Sequence, residues 1–199
     1  MDIPRWPGWH LVGRFPDEED GVGSWLLHHN GEAMLLELPP GLTTPVVKRS
    51  LKELGVKLRH ATASHEHEDH FDEKMWYRLN RHIRGIKFHR PQSLRPHREV
   101  YLDLGGEPLW LLHAPKHSAH DTIVVFRGVA MTGDIELGTE DSVNDEVSQV
   151  AKCQSMDWFR KFPQRRKYNV HSTVSAHLND VRTDIDWNDL FTCHRGVFA

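Results

Sequence analysis

The run Ser64-His65-Glu66-His67-Glu68-Asp69-His70 sets three imidazoles and the Asp69 carboxylate within a few residues of one another. Imidazole nitrogen and carboxylate oxygen are ordinary ligands of zinc, manganese and iron, so the chemistry on offer is metal coordination. In an extended turn, residues two apart point the same way. His65 and His67 are therefore expected to share one ion, while Asp69 and His70 swing towards a neighbouring one. Four local ligands do not complete two sites, so distant residues must return. Ala114-Pro115-Lys116-His117-Ser118 and Met131-Thr132-Gly133-Asp134 each follow a short apolar run, which places His117 and Asp134 at strand ends. A carboxylate at Asp134 can bridge two cations and offset part of their repulsion, which an imidazole cannot.

The chain holds 16 histidines against 3 tyrosines, an excess that favours metal binding before any motif is read. Outside the motifs, His10, His28, His29, His60, His82, His89, His97, His113 and His194 are read as surface or hydrogen-bonded histidines. His120 stands close enough to His117 to support a ligand from behind. Glu66 and Glu68 are expected to point outwards as solvated charges, and the seven tryptophans to serve core or interface.

The elements that must hold these residues follow from periodicity and turn chemistry. Asn30-Gly31, suited to positive φ, joins residues 24–29 and 33–38 in an antiparallel hairpin ended by Pro39-Pro40-Gly41. Residues 45–54 read as a helix closed by Gly55, and 60–64 as a strand leading into the histidine run. Residues 71–83 read as a helix. Strands are expected at 99–102, 109–113, 122–126 and 129–132, with turns at Gly105-Gly106 and Arg127-Gly128. Apolar spacing predicts a helix within 143–162, then a strand over 169–176 and a final helix over 180–193. The histidine run thus lies on a loop between strand and helix, where α/β proteins place ligands. Strand clusters alternating with helices imply a layered α/β arrangement.

The length of 199 residues suits one domain over 1–199. A net charge of −3 and a sequence pI near 6.6 lack the basic footprint of a nucleic-acid binder. The N-terminus has no basic head with a continuous apolar run, and no later stretch has the apolar length of a membrane span. A cytoplasmic protein is expected, with Cys153 and Cys193 as free thiols.

The order of these motifs resembles the metallo-β-lactamase superfamily, whose signature is His-x-His-x-Asp-His, a Pro-Gly-His-Thr-like turn, Thr-Gly-Asp and a late histidine. The resemblance covers roughly residues 24–180 and is nearest the glyoxalase II-like branch. It implies an αββα four-layer sandwich with metals at one edge of two sheets. It also implies that His65, His67 and His117 hold a first ion, Asp69 and His70 a second, and that Asp134 bridges. The late ligand is His177, which stands at the C-terminal end of its expected strand; alternation alone leaves His171 open. Two departures stand out. Lys116 replaces the usual glycine before the third histidine, and Glu37-Leu38-Pro39 occupies the place of an aspartate-glycine turn.

The function implied is hydrolysis of an ester, thioester, lactone or related carbonyl or phosphoester substrate by a binuclear centre. Zinc is the foremost cofactor, with manganese and iron as alternatives. Two divalent ions against Asp69, Asp134 and a hydroxide leave net positive charge, which favours an anionic or carbonyl-bearing small molecule. Asp69 is the expected catalytic residue, orienting the nucleophile and passing a proton to the leaving group. Asp134 fills a position that true β-lactamases of the superfamily fill otherwise, so antibiotic hydrolysis is not expected. The alternatives are a mononuclear iron sulfur dioxygenase of the same superfamily and a non-catalytic binding protein retaining the fold.

Overall fold

The structure is a computed structural model that describes residues 4–16, 20–93, 98–135, 137 and 146–187. The Asn30-Gly31 turn forms as expected, with φ of 42° and 81°, and joins β2 (Val22–His29) to β3 (Glu32–Leu36). Thr44–Leu54 forms α1, closed by Gly55 in the left-handed conformation, where a side chain would be strained. The chain then returns through β4 (Lys57–Thr62), passes the histidine run, and enters α2 (Glu73–His82). The Asp72 carboxylate caps α2 by accepting the Lys74 N–H at 2.8 Å. With β1 (Trp9–Phe15) and β5 (Lys87–His89), these strands make a sheet ordered β1-β2-β3-β4-β5. β3, β4 and β5 are parallel because a helix crosses over between each pair.

The second half repeats the plan. β6 (Glu99–Leu104), β7 (Glu107–His113), β8 (Thr122–Phe126) and β9 (Val129–Met131) meander antiparallel. α3 (Gln149–Arg160) and α4 (Phe162–Arg166) then lead to β10 (Ser172–Val174), parallel to β9, and to β11 (Val181–Thr183). The sheet order is β11-β10-β9-β8-β7-β6. Trp25, Leu27, Met34 and Leu36 of the first sheet pack on Leu109, Leu111, Val124 and Phe126 of the second. The outer face of the first sheet is covered through Val47, Leu51, Met75 and Leu79 of α1 and α2, and that of the second through Met156, Phe159 and Phe162 of α3 and α4. The layering is therefore αββα, as the resemblance implied.

Several expectations are corrected. Residues 180–193 were expected to form a helix, but Val181–Thr183 pairs with β10 as a strand; residues 188–193 lie outside the described residues. The strand expected over 169–176 is only Ser172–Val174. The helix expected within 143–162 begins at Gln149, after Ser148 caps it, and breaks at Lys161, where Pro163 lacks the N–H needed to continue the ladder. Residues 143–145 lie outside the described residues. Cys153 is buried and disulfide-bonded rather than a free thiol; Cys193 lies outside the described residues. Among the described residues no helix is long and apolar enough to cross a membrane.

Candidate metal centre

The C-terminal ends of β4, β7, β9 and β10 gather at one edge of the sandwich. Backbone bonds fix that gathering: Thr122 N–H donates to Ser64 O at 2.7 Å, Gly23 N–H to Ala176 O at 2.8 Å, and Ala176 N–H to Gly133 O at 2.9 Å. Gly133 is demanded there twice. Its φ is +64°, and a Cβ would lie 2.7 Å from Ser64 Oγ, so only glycine lets the Thr132-Gly133-Asp134 turn close on the histidine run.

Two ligand groups result. In the first, His65 Nε2 and His117 Nε2 lie 3.0 and 3.3 Å from His67 Nδ1. In the second, Asp69, His70, Asp134 and His177 converge. Asp134 stands between the groups. Its Oδ2 is 3.2 Å from His70 Nε2 and 3.8 Å from both His65 Nε2 and His117 Nε2, while its Oδ1 is 3.5 Å from His177 Nε2. Every residue expected at the site is present in this cluster. His171 is not: it precedes β10, bonds Ser172 Oγ through Nδ1 at 2.9 Å, and packs on Gly128.

The donor set fits bound cations. His65 Nδ1 faces Ser64 Oγ at 3.0 Å, and with the proton on that nitrogen Nε2 presents a lone pair to the cluster. His177 Nδ1 donates to the Asp20 carbonyl at 2.6 Å, which turns its Nε2 towards Asp69 and Asp134. Ring nitrogens that converge as lone pairs repel unless a positive charge sits among them. Asp134 Oδ1, buried, makes no hydrogen bond among the described residues.

The electrostatics agree. Burial, aided by neighbouring histidines, pushes His65 down to about 2, so it is neutral. Burial also opposes charge on His70, but the carboxylates of Asp134, Asp69 and Glu37 outweigh it and hold His70 up at about 12. The bond to His70 brings Asp69 down to about 2. Burial would raise Asp134, yet His177 and His70 hold it below the usual carboxylate range, and His177 is raised in return by Asp134. A field that keeps a proton on buried His70 also draws a cation.

Asp121, Glu37, Ser64 and Arg90 support the cluster, and of these only Asp121 carries even a weak signal in its spacing. Asp121, buried, accepts the backbone N–H groups of Lys116, His117 and Ser118 at 2.8, 2.6 and 2.8 Å, and the Ser118 hydroxyl at 2.7 Å. That single carboxylate shapes the turn presenting His117; a Ser-x-x-Asp pattern over Ser118–Asp121 was the one available hint. Glu37, buried at φ 63°, accepts the Ser64 N–H at 3.1 Å and faces His70 Nδ1 at 3.6 Å. Arg90 reaches Glu66 at 3.3 Å and Glu73 at 3.2 Å. The Glu66 side chain is only 10 % exposed, which corrects its reading as a solvated charge; Glu68 is exposed as expected. The ring of His120 stacks beside His113 at 6.2 Å.

No protein-family profile matches the chain, and no curated protein sequence matches it. Solved structures do. ETHE1 from Myxococcus xanthus superposes with a TM-score of 0.60 at 17% identity, over 90% of this chain and 80% of that one. BLEG-1 B3 metallo-beta-lactamase gives 0.58 at 15% identity, over 88% and 93%. The metallo-beta-lactamase MIM-1 from Novosphingobium pentaromativorans gives 0.57 at 17%, over 86% and 74%. With helix-sheet-sheet-helix layers and a cluster at one sheet edge already evident, these likenesses identify the architecture of the chain as the metallo-β-lactamase fold.

Proposed function

We propose that the protein is a metal-dependent hydrolase with two adjacent divalent ions, zinc foremost, acting on an ester, thioester, lactone or related carbonyl or phosphoester substrate. The observation that carries this reading is Asp134, whose two oxygens face ligands of both groups at 3.2 to 3.8 Å. His65, His67 and His117 would hold the first ion; Asp69, His70 and His177 the second; Asp134 would span them. When bound, such a pair supplies a water of pKa near 7 and a polarised substrate oxygen. The protein supplies the rest. Asp69, its side chain more than half exposed, turns Oδ2 to His70 Nε2 at 3.4 Å and His177 Nε2 at 3.6 Å, and would take a proton from the attacking water and return it to the leaving group. The surplus positive charge favours an anionic or carbonyl-bearing substrate.

A second reading rests on the three-histidine group, which is complete without the other: one iron there would make a thiol-oxidising dioxygenase. Elemental analysis of protein purified without added metal or chelator separates the two. Near two ions per chain, reduced in His177→Ala and unchanged in His171→Ala, supports the binuclear hydrolase. One iron per chain, unchanged in both variants and coupled to oxygen uptake with a thiol, selects the dioxygenase. Metal-free protein from several preparations sinks both.

A further inference from the structure

Ser64 has a position that no ligand shares. Its hydroxyl oxygen lies 3.0 Å from His65 Nδ1 and 3.4 Å from His70 Nδ1, so one buried group stands behind one histidine of each ligand group. Glu37 stands behind Ser64 and His70. Its Oε1 accepts the Ser64 N–H at 3.1 Å and faces His70 Nδ1 at 3.6 Å, while its Oε2 is buried without a hydrogen-bond partner among the described residues.

Geometry limits what these groups can do. For His65 and His70 both to present Nε2 towards the cluster as lone pairs, both Nδ1 atoms must carry hydrogen and find acceptors behind them. Among the described residues, only Ser64 Oγ is within hydrogen-bonding distance of His65 Nδ1, and only Ser64 Oγ and Glu37 Oε1 face His70 Nδ1. Neither acceptor is free to wander. Ser64 is pinned through its N–H to Glu37, through its carbonyl to the Thr122 N–H at 2.7 Å, and through its Cβ by the close approach of Gly133. Glu37 is pinned by its own N–H, which donates to Thr62 O at 3.0 Å, and by its carbonyl, which accepts the Ser24 hydroxyl at 2.8 Å.

We infer that Ser64 and Glu37 are positioning residues that fix the tautomer and ring orientation of His65 and His70, with Ser64 serving both metal sites and Glu37 only the second. The inference rests on the binuclear reading and adds to it a coupling: the two sites share one hydroxyl, so their affinities fall together when it is removed. Losses of roughly 10- to 100-fold in metal affinity are typical when a group behind a metal-bound histidine is deleted.

The test is cobalt(II) titration of the full chain against a competing chelator, with the visible absorption spectrum followed at each step. The binding step lost in His117→Ala marks the first site and that lost in His177→Ala the second. Ser64→Ala is expected to weaken both steps about 10-fold or more, with Ser64→Thr, which keeps the hydroxyl, restoring them. Glu37→Gln, which keeps shape and removes charge, is expected to weaken the second step and leave the first within about twofold. Far-ultraviolet circular dichroism on the same samples separates lost affinity from lost fold, and Glu37→Gln serves if Ser64→Ala does not fold. Two cobalt steps in wild type with Ser64→Ala and Glu37→Gln unchanged overturn this inference alone. Equal weakening of both steps by Glu37→Gln overturns the division of labour. A folded wild type that takes up no cobalt overturns the binuclear reading and this inference with it.

Discussion

Asp121 shows at the scale of one residue how much of a site lies outside its ligands. Three consecutive backbone N–H groups of the turn that carries His117 end on Asp121 Oδ2, and none of them has helix or sheet to satisfy it. In Asp121→Asn, either the amide NH₂ meets those donors or the carbonyl oxygen replaces only part of the acceptor. An acceptor shared by several buried donors is lost, which costs about 1–3 kcal/mol; urea unfolding is expected to show that loss, together with weaker metal binding at the His65, His67, His117 group. Unchanged unfolding and metal content would show that the turn holds itself. The contrast with the ligands explains what could be read in advance. His65, His67, Asp69, His70, His117 and Asp134 were legible because their types and spacing are what an ion requires. Glu37, Ser64, Arg90 and Asp121 were not, because a carboxylate, hydroxyl or guanidinium acquires its role from the groups that the fold happens to bring beside it. His177 needed the fold to separate it from His171: both flank the short β10, and only one end of that strand reaches the cluster.

Elements were legible where a turn residue or a cap marks them. Asn30-Gly31, Gly55 and Asp72 delimit β2, β3, α1 and α2 nearly as spacing implied. Where burial is continuous the signal fails: every residue of β8 is buried, so alternation could not tell which side faced the other sheet. β11 was mistaken for part of a helix because three residues carry no period at all. One pairing of elements makes a prediction of its own. His60 on β4 and His89 on β5 sit side by side, with His89 Nε2 3.1 Å from His60 Nδ1. Burial, then the neighbouring His60 and Lys87, bring His89 from 6.5 down to about 4, and burial with Lys87 lowers His60 as well. The unfolded chain therefore binds more protons than the folded one as pH drops from about 6.5 towards 4, and stability falls across that window. In His89→Gln, whose amide can still donate to His60, the loss of unfolding free energy between pH 7 and pH 4.5 is expected to be smaller than in wild type. Parallel pH profiles for the two proteins would mean that the pair is not a source of acid sensitivity.

At the scale of the molecule, each ligand group draws on both sheets. His65 and His67 follow β4 of the first sheet while His117 follows β7 of the second; Asp69 and His70 come from the first, Asp134 and His177 from the second. Bound ions would thus fasten one edge of the sandwich, which otherwise is held by the inner apolar layer and by bonds such as Trp9 Nε1–H to Phe126 O at 3.0 Å. That layer extends well beyond the ligand edge, from Trp6 and Trp9 to Val174 and Ala176, so stripping the metal should leave a folded protein with a looser edge. Ligand that binds only the folded state adds about 4 kcal/mol at a free concentration 1,000 times its dissociation constant. Chelation followed by dialysis is accordingly expected to lower Tm by several degrees or more while leaving far-ultraviolet circular dichroism unchanged. Hydrogen exchange should quicken in the loops after β4, β7, β9 and β10 and stay slow in β2, β3, β7 and β8, whose amides belong to the two sheets' interiors. Readdition of zinc should restore both Tm and protection. Metal loss with no change in Tm or exchange would mean that Ser64, Glu37, Asp121 and the backbone bonds across the edge hold the ligands in place without an ion.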